Sequence, residues 1–135
     1  MIDSPLNELD RIIGHKPDKI EPGKAIYSFD CTPAMHSAAR RLHGGVMFYV
    51  CDQALGAALF GLLDLSAGEL PATLNLSIHY FRTVKDGKIT VTARIVERQR
   101  TVAYGEAEVT GSDGKLLARA TGAYYIQNRD RAKQG

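Results

Sequence analysis

The sequence predicts an α+β fold in which a curled antiparallel β-sheet wraps around one long central helix. Residues 43–63 are nearly all apolar and of helix length, which is typical of a helix buried in the middle of a domain. Four segments of alternating polar and apolar residues follow, joined by short links with turn chemistry. Such a sheet covers one side of the helix, and a second copy of the chain is the simplest cover for the other.

The composition indicates one globular domain spanning residues 1–135. Hydrophobic residues make up 44% of the chain, and the formal net charge of +2 is too mildly basic for a nucleic-acid-binding surface. Cys31 and Cys51 have neither the density of a disulfide scaffold nor metal-ligand spacing. The first residues show no leader pattern, and Asp52 interrupts the one segment that approaches membrane-spanning length. We therefore expect a cytoplasmic protein without membrane contact.

Residues 1–23 are predicted to form a helix followed by a connector. Residues 4–13 carry an N-cap serine, Ser4, and an apolar face, and Gly14 ends this helix. Residues 15–23 contain two prolines and several charges, which favours a surface connector. Residues 24–32 alternate and predict the first strand.

The strands after the helix are predicted at residues 73–82, 88–99, 101–110 and 115–127. The links at 85–88, 99–100 and 111–115 have hairpin chemistry, so each strand is expected to pair with the next. The last two strands place small residues on one face, which would let the helix approach closely: Ala103, Gly105, Ala107, Ala118, Ala120 and Gly122. Residues 128–135 form a polar tail.

Asp52 is the only charged side chain inside the apolar helix. Burying a carboxylate costs free energy unless it is paired or hydrogen-bonded. Two interpretations stay open from the residues alone: an acid that performs chemistry, and a structural aspartate that hydrogen-bonds nearby backbone. Gly44 and Gly45 precede the helix, and N–H groups at a helix N-terminus can stabilise a developing oxyanion.

These features together resemble the hotdog-fold acyl-CoA thioesterases, specifically the phenylacetate-pathway type. The resemblance covers roughly residues 24–127 and rests on the motif His43-Gly44-Gly45, on Asp52 eight positions after Gly44, and on the strands behind them. It implies that the Gly44 N–H polarises a thioester carbonyl while Asp52 attacks it or activates water. It also implies that His43 borders the site, the alternative being a partly buried loop histidine.

Further residues are implied to contact substrate, each with a structural alternative. Gly45 completes the glycine pair, and Thr73 matches a position that holds the nucleophilic water or the acid, although it also suits a strand end. Ser37 stands where the family usually has asparagine, so either His36 substitutes or the site is arranged differently. Four cations near strand ends are candidates for the CoA phosphates or are simply solvated: Arg82, Lys85, Arg98 and Arg100.

The expected reaction is hydrolysis of a small-to-medium or aromatic acyl-CoA by a homodimer that can pair again into a homotetramer. The four histidines lack metal-ligand spacing, and no phosphate-binding glycine loop is present. We therefore expect no metal and no bound cofactor, with CoA entering only as part of the substrate. Two alternatives stay open: a non-catalytic acyl-CoA-binding module, to which Ser37 points, and a hotdog hydratase or dehydratase that uses His43 and Asp52.

Overall fold

The computed structural model describes residues 8–129, in which six antiparallel strands curl around one long helix. The elements are α1 (Glu8–Ile13), β1 (Lys16–Glu21), β2 (Lys24–Cys31), α2 (Gly44–Phe60), β3 (Glu69–Tyr80), β4 (Gly87–Arg98), β5 (Val102–Thr110) and β6 (Leu116–Asn128). Short 3-10 turns at Pro33–Met35 and Leu65–Ala67 flank α2. The predicted α+β layout is confirmed. The Ser4 cap and the tail beyond Arg129 lie outside the described residues.

The connector predicted at residues 15–23 is wrong, because Lys16–Glu21 forms the edge strand β1, antiparallel to β2. All side chains of β1 are exposed, and an edge strand tolerates Pro17 because one side of its backbone needs no partner. Pro22 and Gly23 close the hairpin, and Gly23 has the positive φ of 84° that the second central residue of such a turn requires. The Pro-Gly pair was therefore the turn signal that the sequence analysis missed.

The strand order is β1-β2-β4-β5-β6-β3, so β3 pairs with β6 rather than with β4. The hairpin predicted at residues 85–88 is therefore wrong, whereas the hairpins from β4 to β5 and from β5 to β6 are confirmed. The link before β4 is held by a distant segment: the Leu42 N–H donates to the Val84 carbonyl, and the Thr83 hydroxyl donates to the Leu42 carbonyl. The turn residues at 86–87 change the direction of the chain, but these long-range contacts determine which strands β4 pairs with.

Helix α2 packs one face against the inner face of the sheet. Its buried residues recur at helical spacing: Met47, Val50, Cys51, Ala54, Leu55, Ala58 and Leu59. The approach is closest at two glycines, since a Cβ on Gly105 would lie 2.7 Å from Leu55 Cδ2, and one on Gly122 would lie 3.2 Å from Leu55 Cδ1. The predicted role of the small residues on β5 and β6 is confirmed.

The opposite face of α2 is only partly covered in the described part of the chain, where Tyr49 contacts Asp10 and His15. Phe48 and Gln53 are exposed on it, with 39% of Phe48 open to solvent. Strand β3 forms an edge of the sheet and exposes Leu74. A single chain therefore buries one face of the helix and leaves the other partly exposed. No helix within residues 8–129 has the length and apolar character needed to span a membrane.

Candidate active site

Asp52 lies on α2, about two turns after the helix begins, and its side chain is partly buried. Its Oδ1 atom accepts one hydrogen bond from the Thr73 hydroxyl at 3.0 Å and another from the Tyr124 hydroxyl at 2.9 Å. Within residues 8–129, no group donates a hydrogen bond to Oδ2. Two strand side chains therefore fix one carboxylate oxygen and leave the other available to water or substrate. A purely structural aspartate would instead be expected to accept its hydrogen bonds from nearby backbone N–H groups.

Tyr124 is a site residue that the sequence analysis missed. It lies on β6, is 1% exposed, and is in register with Thr73 on β3, so both hydroxyls reach the same oxygen from neighbouring strands. Burial, and then the charge of Asp52, raise the pKa of Tyr124 well above its ordinary value of 10. The phenol therefore keeps its proton and remains a donor. Its only signal in the sequence is that it falls on the same face of β6 as the small residues of that strand.

Cys51 precedes Asp52 but has no chemical role that its surroundings support. It is fully buried in the core, where burial, and then the charge of Asp52, raise its pKa from 9.0 to about 12. The thiolate is the reactive form of cysteine, so a buried neutral thiol is a poor nucleophile.

Gly44 begins α2, and no described residue accepts a hydrogen bond from its N–H. The peptide between His43 and Gly44 is held in place because the Val46 N–H donates a hydrogen bond to its carbonyl at 3.0 Å. In a trans peptide the N–H points opposite to the carbonyl, so the Gly44 N–H points out of the helix start. It lies at the positive end of the helix dipole, where an oxyanion is stabilised.

His43 is the N-cap of α2, and its Nδ1 accepts a hydrogen bond from the Gly45 N–H at 2.8 Å. A nitrogen that accepts carries no proton, so the proton of the neutral ring lies on Nε2. A Cβ on Gly45 would lie 3.0 Å from this Nδ1, so glycine gives the imidazole room to reach its own helix. His43 therefore has a capping role, and its direct participation in chemistry stays a prediction.

Asp52 lies where two clefts meet. The larger cleft, of about 640 Å³, follows the C-terminal half of α2 and is lined by Ile20, Tyr27, Gln53, Gly56, Ala57, Phe60, Gly61, Pro71, Thr73 and Tyr124. The smaller cleft, of about 380 Å³, extends between α1 and the helix start and includes His43 and Gly45. Open space therefore connects the carboxylate with the helix start.

Ser37 and His36 lie in the segment before α2 and are held locally. The Ser37 hydroxyl accepts a hydrogen bond from the Ala39 N–H at 3.3 Å, and His36 Nε2 hydrogen-bonds the Lys85 carbonyl at 2.7 Å. Neither side chain hydrogen-bonds Asp52 of the same chain. The asparagine amide that the resemblance implies at position 37, where it would help to hold substrate or water, therefore has no counterpart beside Asp52 from these two residues within one chain.

Arg82 and Arg100 lie at opposite ends of the sheet. Arg82 follows β3 and directly precedes Thr83, whose hydroxyl donates to the Leu42 carbonyl. Arg82 therefore lies near the start of α2. Arg100 lies just before the start of β5. Val102 of β5 and Ala72 of β3 both pair with Tyr125 of β6, so Arg100 lies near residue 71 of β3. Strand β3 runs about 30 Å between these ends, so one CoA phosphate cannot touch both cations of a single chain.

Arg98 is engaged in the fold rather than available for substrate. Its Nη2 donates to both oxygens of the Glu69 carboxylate, at 2.8 and 2.9 Å, in a partly buried pair. Glu69 also accepts a hydrogen bond from the Asp64 N–H at 2.9 Å. Through Glu69 and Arg98, the loop between α2 and β3 is therefore tied to β4.

The histidines are not grouped as metal ligands. Among residues 8–129, no three His, Cys, Asp or Glu side chains are close enough to hold a metal ion. His15 instead packs on Tyr27 and Tyr49, with ring centroids 5.9 and 5.6 Å apart. Burial lowers the pKa of His15, although Asp10 opposes this effect. That the protein needs no metal or bound cofactor stays a prediction.

The sequence model of the Thioesterase superfamily matches residues 40–118, more than half of the chain. The chain belongs to the thioesterase superfamily. The match includes the helix start, Asp52 and Thr73. The prediction of a thioester hydrolase with the hotdog fold is confirmed at the level of this superfamily.

Known relatives agree with this assignment. The chain is 28% identical over 116 residues to a Sulfurisphaera tokodaii protein named "Putative esterase", covering 86% of this chain and 84% of that protein. It superimposes on a thioesterase enzyme of Staphylococcus aureus with a TM-score of 0.85 at 21% identity, covering 90% and 99% of the two chains. A Streptococcus pneumoniae "Hypothetical Thioesterase Protein with Coenzyme A" gives a TM-score of 0.77 at 23% identity, covering 84% and 89%. These structural likenesses establish the shared fold.

Proposed function

We propose that this thioesterase hydrolyses the thioester of acyl-CoA, with Asp52 as nucleophile or general base and the Gly44 N–H as oxyanion donor. The observation that carries the proposal is the state of the Asp52 carboxylate. Thr73 and Tyr124 hold one oxygen, and the other has no donor within the described chain, at the junction of the two clefts. A carboxylate held this way is oriented for reaction at its second oxygen.

The arrangement serves either of two routes for thioester hydrolysis. In the first, Asp52 attacks the carbonyl carbon, CoA leaves as a thiolate, and water hydrolyses the resulting anhydride. In the second, Asp52 takes a proton from water, which attacks the carbonyl carbon directly, and the C–S bond then breaks as CoA leaves as a thiolate. Both routes place negative charge on the carbonyl oxygen, where the Gly44 N–H stabilises it.

We place the reacting site between two copies of the chain. Gly44 and Asp52 lie eight residues apart on one helix, about 12 Å along its axis, which is too far for one carbonyl group to contact both directly. An antiparallel partner helix would bring its own Asp52 opposite Gly44. Phe48 lies midway between positions 44 and 52 and is 39% exposed on the partly covered helix face. A dimer formed there covers this face, and further pairing into a tetramer is what the resemblance implies.

The larger cleft suits the acyl group of the substrate. Its walls are mainly apolar and it reaches Asp52, which suits the small-to-medium or aromatic acyl group that we propose. The pantetheine arm would leave past the helix start, where Arg82 is better placed than Arg100 to meet a CoA phosphate. CoA is then part of the substrate, and no metal, cofactor or nucleic acid takes part.

The free buried cysteines, Cys31 and Cys51, support a reducing cytoplasmic location.

A second candidate function is an acyl-CoA-binding module without turnover. Ser37 favours it, because its hydroxyl is held by the Ala39 N–H and it offers no amide to substrate or water. Such a module would bind acyl-CoA in the same clefts and release no thiol.

Thiol release from a panel of acyl-CoA substrates tests the proposal. Acetyl-, octanoyl-, benzoyl- and phenylacetyl-CoA are incubated with the protein, and free CoA thiol is followed over time, with calorimetry measuring binding of the same compounds. We expect turnover of at least one medium-length or aromatic member. Binding without thiol release would favour the binding module, and neither binding nor release would contradict acyl-CoA as the ligand.

A further inference from the structure

The peptide that joins Gly44 to Gly45 is held at both ends. The Tyr80 hydroxyl donates a hydrogen bond to the Gly44 carbonyl at 2.7 Å, and the Gly45 N–H donates to His43 Nδ1 at 2.8 Å. Tyr80 is the last residue of β3, 36 positions from Gly44 in the chain. A strand side chain and the helix cap therefore fix the orientation of the first peptide within α2.

The ring of Tyr80 also occupies the space beside the Gly44 Cα. A Cβ on residue 44 would lie 2.9 Å from Tyr80 Cζ and 3.1 Å from its hydroxyl oxygen. Gly44 has no positive φ, so its conformation does not require glycine. A side chain at position 44 would therefore have to displace the Tyr80 ring.

We infer that Tyr80 is a positioning residue that aims the Gly44 N–H at the substrate oxyanion. The two peptide planes on either side of the Gly44 Cα are both restrained: Val46 holds the carbonyl of the first, and Tyr80 and His43 hold the second. With both planes fixed, rotation at Gly44 is blocked and its N–H keeps one direction. Preorganised donors of this kind stabilise charge without rearranging during the reaction. This inference rests on the proposed function, in which the Gly44 N–H is the oxyanion donor.

Tyr80 is chemically suited to this task throughout the neutral range. Burial, and then the electrostatic influence of nearby Cys51, raise the pKa of Tyr80 above its ordinary value of 10, so the phenol stays protonated and donates. About half of its surface is exposed, so its loss leaves no large cavity in the core. Replacing Tyr80 by phenylalanine removes the hydroxyl and keeps the ring.

The test compares Tyr80→Phe with Tyr104→Phe, a tyrosine of β5 that exposes a similar fraction of its surface. Tyr80→Phe is expected to lower kcat by about 3- to 10-fold, the loss of one hydrogen bond, with KM nearly unchanged. Gly44→Ala keeps the N–H but displaces the Tyr80 ring, so it should lower kcat in the same way. Combining Gly44→Ala with Tyr80→Phe should cost less than the product of the two single effects.

A spectroscopic readout separates positioning from general destabilisation. In protein labelled with ¹⁵N-glycine, the Gly45 amide shares its peptide with the carbonyl that Tyr80 binds, and a Gly45→Ala sample assigns its resonance. Tyr80→Phe should move this resonance, whereas Tyr104→Phe should not. An active wild type whose Tyr80→Phe variant keeps its kcat, or loses kcat without moving the Gly45 resonance, overturns the positioning role alone. A wild type that hydrolyses no thioester overturns the proposed function, whatever the resonance does.

Discussion

The hydroxyl of Tyr124 lies 2.9 Å from Oδ1 of Asp52, although the two residues are 72 positions apart in the chain. The Thr73 hydroxyl donates to the same oxygen, so β3 and β6 orient the acid on α2 together. This convergence shows how an otherwise apolar helix accommodates one partly buried carboxylate. It also predicts how the reaction responds when a donor is removed.

Removing the Tyr124 hydroxyl should impair turnover without unfolding the protein. A hydrogen bond to a charged group is worth about 1.5–3 kcal/mol, so Tyr124→Phe is expected to lower kcat by about 10- to 100-fold. Tyr125→Phe is the matched control, because Tyr125 is 41% exposed and points to the other face of β6. Equal kinetics in the two variants, measured by thiol release, would refute the orienting role of Tyr124.

Gly56 offers a test of the acyl-binding cleft. It lines the larger cleft, and a Cβ built on it meets no atom within 4 Å. Gly56→Ala should stabilise the helix by about 0.5–1 kcal/mol with normal activity, since glycine is unfavourable in a helix interior. Gly56→Leu should fill the cleft and lower kcat/KM for phenylacetyl-CoA by about 10-fold or more, with a smaller effect on acetyl-CoA.

The comparison of the two acyl groups decides the interpretation of Gly56→Leu. Thermal unfolding of both Gly56 variants first establishes that they are folded. If the leucine variant loses activity equally on acetyl- and phenylacetyl-CoA, the acyl group does not lie in the larger cleft.

A site shared between two chains predicts complementation of inactive variants. One parent carries Asp52→Asn, and the other carries Gly44→Pro, which removes the N–H at a helix position that tolerates proline. The proline ring requires Tyr80 to move, and its half-exposed side chain can swing toward solvent. After subunit exchange, a mixed dimer has one site with both groups intact, so activity should reappear.

Light scattering and circular dichroism provide the controls for complementation. Both parents must be folded dimers, and labelled subunits must be shown to exchange. A mixture that exchanges but stays inactive contradicts the shared site, and a stable monomer at micromolar concentration contradicts the dimer.

The sequence was sufficient for the parts of the site that lie on one segment. Gly44 and Asp52 belong to a single helix, so their spacing and chemistry could be recognised without knowing how the chain folds. Tyr124 and Tyr80 reach these residues from β6 and β3, and alternation along a strand does not identify either of them as a site residue. Their roles depend on long-range pairing, which turn chemistry does not determine.

The errors in the predicted fold have the same physical origin. Strand β1 has no alternating pattern because all its side chains are exposed, and it is a strand only because β2 pairs with it. The turn before β4 resembled a hairpin, but β4 pairs with β2 and β5 instead. Strands β4, β5 and β6 were located correctly because burial on the inner face of the sheet fixes their alternating pattern.

The kcat of Asp52→Asn on acyl-CoA tests the central claim most directly. This substitution preserves side-chain volume and can still accept the hydrogen bonds from Thr73 and Tyr124, but it removes the charge and the basicity. Asp113→Asn, in the exposed turn before β6, is the matched control. The account predicts a loss of about 100-fold or more in kcat for Asp52→Asn and none for Asp113→Asn. A folded Asp52→Asn variant with nearly normal kcat would contradict the assignment of Asp52 as the essential acid.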